Sequence, residues 1–192
     1  WLFQSTSLSH KLISSIKSEA GGITRIEYTP AAQVPGAVAG QVNGYPNIAN
    51  TSRRYLVTKI ISEDGRGASY GKSYGYSSGL FHQGLPHERR DLYFQAFRET
   101  DDQSGISRVT YFRQDDVKYH GKIDHVDEFA GNGQLMKKTE FTYNSNVATA
   151  FVGTSFVRLN SEKHTAYEMG TYVSNITKSY DYDSYGNVIK VT

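Results

Sequence analysis

The sequence predicts an all-β protein of antiparallel strands and hairpins. Three observations carry that expectation. β-Branched and aromatic residues recur in short alternating runs. Turn signals rich in Gly, Asn and Asp separate those runs at intervals of about 8–12 residues. No segment keeps the 3.6-residue period of an amphipathic helix over four turns. Composition agrees: 15 Tyr, 9 Phe, one Trp and 18 Gly suit half-buried strands and tight turns.

The first hairpin falls in residues 10–30. Leu12-Ile13-Ser14-Ser15-Ile16 is a short alternating run, Ala20-Gly21-Gly22 a turn, and 23–28 an answering strand that Pro30 ends. Residues 31–52, with small side chains, Pro35 and Pro46, have no period and predict a flexible loop. In 53–62, Tyr55, Val57, Lys59 and Ile61 face one way, and Leu56, Thr58 and Ile60 the other. Residues 63–67 turn, 69–76 form a strand, and 77–86 predict an irregular loop.

Residues 89–100 alternate and are expected as one strand. A turn over 101–105 leads to a strand at 106–113, a turn at 119–121 and a strand at 122–129. Gly131-Asn132-Gly133 is a hairpin signal answered by 134–144. Three further strands are expected near 149–160, 164–177 and 178–183, with a last one over 188–192.

Several function classes lose their footing at the level of composition. In 192 residues, 21 Lys and Arg against 19 Asp and Glu leave a formal charge of +2. That is no electrostatic footprint for nucleic acid, and Arg53-Arg54 and Arg89-Arg90 are too short for a basic patch. Without cysteine there are no disulfides, thiolate metal sites or thiol nucleophiles. No apolar run approaches the ~18 residues of a spanning helix, so no membrane insertion is expected. The opening at Trp1 leads us to expect a section of a longer polypeptide.

Candidate chemistry is sparse. His120 and His125, with Asp124 and Asp127 nearby, are metal-ligating types, but an unbroken strand would place the two histidines on opposite faces. Residues 101–105 lack the alternating oxygens and distal Glu of a calcium loop. Glu88, Asp91, Glu99, Asp115, Asp116, Asp124, Asp127 and Glu128 could supply the carboxylate pair of a glycosidase, although acidic residues at turns also serve solubility and edge protection. No nucleophile elbow or dinucleotide fingerprint is present. Asn50-Thr51-Ser52 and Asn175-Ile176-Thr177 fit a glycosylation pattern. The tyrosines could line a glycan groove, or pack across strands as their alternation suggests. The reading is therefore no enzyme, no cofactor and no metal.

One motif is sharper. Residues 178–192 read KSYDYDSYGNVIKVT. Tyr180 and Tyr182 stand on a strand, Asp183 can accept turn N–H groups, Gly186 supplies positive φ, and an apolar residue after Asn187 starts the return. A partial echo lies at 129–135, followed by 140–144.

This motif resembles the YD repeat of the Rhs family. Other blocks follow in the same order: 10–30, Tyr55 to Gly67, Tyr74-Gly75-Tyr76, 89–97, and 110–115 with Gly121 after them. Together they resemble the shell region of insecticidal toxin complex B components and SpvB-like virulence proteins. Ala96 departs from the family's usual Gly. The resemblance covers 10–192 apart from the 31–52 loop. It implies that residues 1–192 are a single fragment of a curved YD-repeat sheet within a larger hollow shell, with 178–192 the clearest repeat. Tyr180, Tyr182, Asp183, Gly186 and Asn187 would be structural. Phe94, Phe97, Tyr111 and Phe112 would pack the wall. The partners implied are neighbouring YD-repeat strands of the same polypeptide or of a companion toxin-complex subunit, and an encapsulated toxic domain. The setting implied is secreted or at a bacterial cell surface. The alternative is an extracellular β-rich carbohydrate- or protein-binding module.

Overall fold

The computed structural model describes residues 2–4, 12–38, 45–50, 54–85, 89–147 and 156–192. Its strands are β1 (Leu2–Gln4), β2 (Ser15–Lys17), β3 (Ile23–Pro30), β4 (Asn47–Ala49), β5 (Tyr55–Glu63), β6 (Ser69–Ser77), β7 (Leu80–His82) and β8 (Arg90–Tyr93). They continue as β9 (Ala96–Asp101), β10 (Ser107–Phe112), β11 (Ile123–Phe129), β12 (Leu135–Val147), β13 (Phe156–Glu168), β14 (Thr171–Tyr182) and β15 (Val188–Val191). Among the described residues the only helical turns are two short 3-10 segments, Ala31–Gln33 and Val117–Tyr119.

Twelve strands form one sheet in the order β1-β2-β3-β5-β6-β9-β10-β11-β12-β13-β14-β15, and β4, β7 and β8 form a small second sheet. Neighbours in the large sheet are antiparallel, so successive connections leave at opposite rims. One rim carries tight turns, at 18–22, 64–68, 102–106, 130–134 and 169–170. The other carries the connections 31–54, 78–95 and 113–122, together with the turn 183–187.

Register is written in charge. Glu99, Arg108, Glu128 and Lys137 are successive partners across β9 to β12 and alternate in sign. In the next row Asp127 faces Lys138, and on the outer strands Glu162 faces Lys178. Opposite charges directly across a ladder contribute about 0.2–1 kcal/mol each, and a one-residue slip would put each side chain on the wrong face.

The core sits at the rim of long connections. Ala31, Val34, Ala37 and Leu56 are its buried centre, with Tyr76 and Phe94 packed against it. Backbone bonds stitch the connections together there: Ser78 N–H to Gly36 (2.8 Å), Gly79 N–H to Ala37 (2.8 Å) and Asn50 N–H to Gly79 (2.8 Å). A Cβ on Gly79 would stand 2.8 Å from the Ala37 carbonyl oxygen, so only glycine permits that approach.

Four expectations need correction. The stretch 31–52, read as a flexible loop, contains in its described parts a 3-10 turn, β4 and three of the four residues of the buried cluster, Ala31, Val34 and Ala37. Its small residues lack a period because they fit under a sheet rather than along one. The irregular loop expected at 77–86 contains β7. The single strand expected at 89–100 is two, β8 and β9, in different sheets. Tyr93 breaks it with φ 58°, and Gln95 N–H turns to the Ser77 carbonyl (2.9 Å). Ala96 is accommodated as the buried first residue of β9. Finally, the strand expected at 164–177 spans a turn: Met169 (φ 49°) and Gly170 (φ 78°) separate β13 from β14, which runs on to Tyr182. Two successive positive φ values mark a type I′ hairpin, which Met-Gly does not announce as Asn-Gly would.

Candidate functional site

The turn between β14 and β15 assembles the predicted motif. The Asp183 carboxylate accepts from Tyr185 N–H (2.9 Å), Asn187 N–H (2.8 Å) and the Asn187 side-chain amide (2.9 Å). Those bonds, the Asn187 side chain first, hold its pKa below the ordinary carboxylate value. Gly186 takes φ 96° and donates to the Asp183 carbonyl (3.2 Å). The tyrosines anchor the hairpin to β13. Tyr180 Oη donates to Glu162 (2.8 Å) and Tyr182 Oη to the Leu159 carbonyl (2.7 Å). Arg158 reaches across, donating to the Asp183 carbonyl at 3.1 Å with its guanidinium 5.2 Å from the Tyr182 ring centre. The contacts of these tyrosines at this turn are hydrogen bonds to β13 and a cation over a ring.

The turn recurs where the sequence shows little repetition. In 18–22, 64–68, 130–134 and 183–187, the first residue donates its N–H to the fifth residue's carbonyl, at 2.9, 3.1, 2.8 and 3.0 Å. The fourth residue is always a positive-φ glycine: Gly21, Gly67, Gly133 and Gly186. The side-chain acceptor changes. It is Ser18 in the first turn and Asp64 in the second, while Asn132 takes the Gln134 N–H in the third. The unit is thus a backbone geometry with interchangeable acceptors, hard to see in one-letter code.

Neighbouring turns touch. A Cβ on Gly65 would stand 2.9 Å from the Gly21 carbonyl, and one on Gly131 would collide with the Ser104 carbonyl oxygen. The rim of tight turns is therefore packed glycine against turn.

The opposite rim is tied by the two other motif blocks. Asp91 accepts from Asn50 Nδ2 (2.7 Å), Tyr93 N–H (2.8 Å) and Arg54, joining β8 to the start of β5. Gln114 Nε2 donates to the Tyr93 (3.0 Å), Ser78 (3.2 Å) and Leu92 (3.4 Å) carbonyls, so one amide holds the small sheet on the large one. Arg113 pairs with Asp115, with its guanidinium 3.7 Å from the Tyr119 ring centre. Of the residues expected to pack the wall, Phe97 stacks on Tyr74 (5.7 Å) and Tyr111 on His125 (4.1 Å), Phe94 meets Tyr76 at a tilt of 54° (4.9 Å), and Phe112 lines a cavity with Phe94 and Phe97.

The titratable candidates scatter. His120 stacks on Tyr93, whereas His125 contacts Asp124 (2.7 Å) and lies 3.8 Å from Asp127. Among the described residues no group of three His, Asp or Glu is arranged to hold a metal ion. Glu99 pairs with Lys72, Asp116 with Lys118 and Glu128 with Lys137. The Asp101 carboxylate binds its own turn, taking Gln103 N–H, Ser104 N–H and the Ser104 hydroxyl. Asn175 is exposed on β14, and Asn50 is buried. His10, Thr51, Ser52, Arg53, His87, Glu88 and the start of the strand expected at 149 lie outside the described residues.

The C-terminal end of the sheet is bare. Residues 171–179 of β14 are exposed throughout, as is all of β15. Ile176 (67%), Ile189 (66%) and Tyr185 (89%) lie open alongside Tyr172, Val173, Val188 and Val191. Strand alternation puts such residues on both faces, so neither face of this end is covered.

No family model matches the chain, and no curated protein matches it by sequence. A solved structure does: the crystal structure of TcdB2-TccC3-TEV, with a TM-score of 0.54 at 11% identity. The match covers 88% of this chain and 12% of that one, so this chain spans about an eighth of its length. At that identity the likeness is one of fold, and the chain shares an antiparallel β-fold with a region of a toxin-complex component, the kind of protein its motifs resemble.

Proposed function

We propose that this chain is a section of wall in a hollow YD-repeat toxin shell, secreted or held at a bacterial surface, whose interior encloses a C-terminal toxic domain located outside this chain. The observation that carries the reading is the bare end of the sheet. A β14–β15 ribbon with apolar residues open on both faces, and an outer edge of unpaired backbone groups, is a surface that further strands complete. Neighbouring YD-repeat strands, from the same polypeptide or a companion subunit, would pair with that edge. The Asp183 turn and the Tyr180 and Tyr182 anchors would set the angle at which the next strand arrives. On this reading the chain contributes containment, and the damaging activity belongs to the cargo.

The test is protection of cargo. The longer polypeptide carrying this segment is expressed and treated with proteinase K. Shell membership predicts that a terminal domain stays intact while exposed linkers are cut, and that electron microscopy shows a closed hollow particle. If no such particle forms, and the 192-residue chain is instead a soluble, folded monomer, the wall reading fails. The extracellular binding-module reading would then lead, and a glycan array would follow.

A further inference from the structure

At the seam between the small sheet and the large one, Leu92, Tyr93, Phe94, Phe97, Phe112 and Gly121 line a half-open cavity of about 240 Å³. We propose that this cavity is a binding site for one uncharged aromatic ring. The proposal is independent of the shell reading.

Size is the first argument. An apolar cavity of about 150 Å³ holds a benzene ring in a protein interior, so this one has room for a ring with a substituent or a second fused ring. Its walls are aromatic and aliphatic with no charged side chain among them, so a charged ligand would lose hydration without compensation. At Gly121 (φ 75°) the direction a side chain would take meets no atom within 4 Å, so the wall there is open space.

Construction is the second argument. Tyr93 is a non-glycine residue at φ 58°, a conformation that persists only where the surroundings impose it. Two neighbours do so: Asp91 accepts the Tyr93 N–H (2.8 Å) and Gln114 donates to the Tyr93 carbonyl (3.0 Å). The constrained backbone sets the half-exposed Tyr93 ring against His120, centroids 5.3 Å apart and planes within 18°. His120 Nε2 is buried and has no hydrogen-bond partner. That nitrogen belongs to the neighbour of one lining residue and to a ring stacked on another. His120 itself does not line the cavity, so the walls alone select the ligand, and they suit an apolar ring.

The ring could arrive free or as a side chain of an extended polypeptide, and two probes separate the sources. Fluorine NMR of 5-fluoroindole, and of a blocked Gly-(4-fluoro-Phe)-Gly peptide, is recorded against the chain. Saturable line broadening by either probe supports the site, and the probe that binds tighter identifies the source. Fluorobenzoate, the charged control, should bind at least tenfold more weakly. Phe112→Trp fills the cavity and should weaken binding at least tenfold. Tyr93→Gly suits the local φ, keeps the fold by circular dichroism, and should weaken binding by removing the rim. The proposal is overturned if neither probe saturates, or if binding survives unchanged in both variants.

Discussion

Asp64 and Asp183 perform the same task at opposite rims of the sheet. Each offers Oδ1 to the backbone N–H two residues ahead and to that four ahead: Arg66 (2.7 Å) and Ala68 (3.0 Å) for Asp64, Tyr185 (2.9 Å) and Asn187 (2.8 Å) for Asp183. Loss of a side-chain acceptor that satisfies turn N–H groups weakens the turn. Asp64→Ala and Asp183→Ala should each lower the urea midpoint, and the double variant should lower it by the sum of the two shifts, because the two turns share no partner. A neutral result for Asp183→Ala would show that the turn holds through Gly186 and its backbone alone.

Acid should loosen the sheet. The carboxyls of Asp101, Asp102, Glu162 and Asp183 are held below their ordinary values, chiefly by hydrogen bonds from Ser104 N–H, the Ser73 hydroxyl, the Tyr180 hydroxyl and the Asn187 side chain respectively. A depressed pKa means that the folded state favours the ionised form. The stabilisation is therefore complete above about pH 5, where the unfolded carboxyls have ionised, and is lost as pH falls through the lower folded values. Urea midpoints measured from pH 7 to pH 3 should be flat and then drop. Asp183→Asn, which keeps an acceptor oxygen without titrating, should drop less steeply. A midpoint unchanged at pH 3 would contradict this account.

The packed rim of turns makes a contrast between two glycines. Gly131→Ala would drive a methyl into the Ser104 carbonyl, whereas Gly75→Ala would meet only the Arg98 Cβ at 3.7 Å, an ordinary contact. Thermal unfolding should show Gly131→Ala destabilised by roughly 1–3 kcal/mol and Gly75→Ala near neutral. Equal effects would mean that the turns move apart freely.

Much of the main sheet was legible in the sequence because its strands obey local rules. The alternation in 55–61, the turn glycines and the Gly131-Asn132-Gly133 signal each act within a few residues, and β5, β6, β10, β11 and β12 fall where those signals put them. What escaped was non-local. Ala31, Val34 and Ala37 are buried because connections from distant parts of the chain close over them, and no periodicity records that. The break at Tyr93 was invisible because its causes, Asp91 and Gln114, act through tertiary contacts on a residue that alternates well. The motif residues 180–187 were readable individually. Their kinship with 18–22 and 64–68 was not, since the shared feature is a backbone path with a different acceptor each time.

Gln114 should therefore matter more than its block suggested. Replacing it by Leu removes the donor shared by the part-buried Ser78 and Leu92 carbonyls and the exposed Tyr93 carbonyl, at about 0.5–1.5 kcal/mol. Hydrogen exchange should speed up in β7 and β8 before it does in β11 and β12. Uniform acceleration would mean that the small sheet is not a separable unit.

The exposed end of the sheet makes a prediction about behaviour in solution. Ile189→Lys places a charge on the edge strand β15, and charges on edges oppose strand-to-strand association. Light scattering should show less self-association for this variant than for the parent chain at equal concentration.

The unequal rims also decide where such a protein can gain new sequence. A rim whose turns press glycine against carbonyl has no room for an extra residue. The opposite rim already accommodates the long connections 31–54 and 78–95, whose exposed parts away from Ala31, Val34, Ala37 and Gly79 can change length without disturbing strand register. Diversification should accordingly be one-sided. A tag, epitope or whole domain grafted by a protein engineer belongs beside the exposed Leu85, between β7 and β8, and never between Asp64 and Ala68.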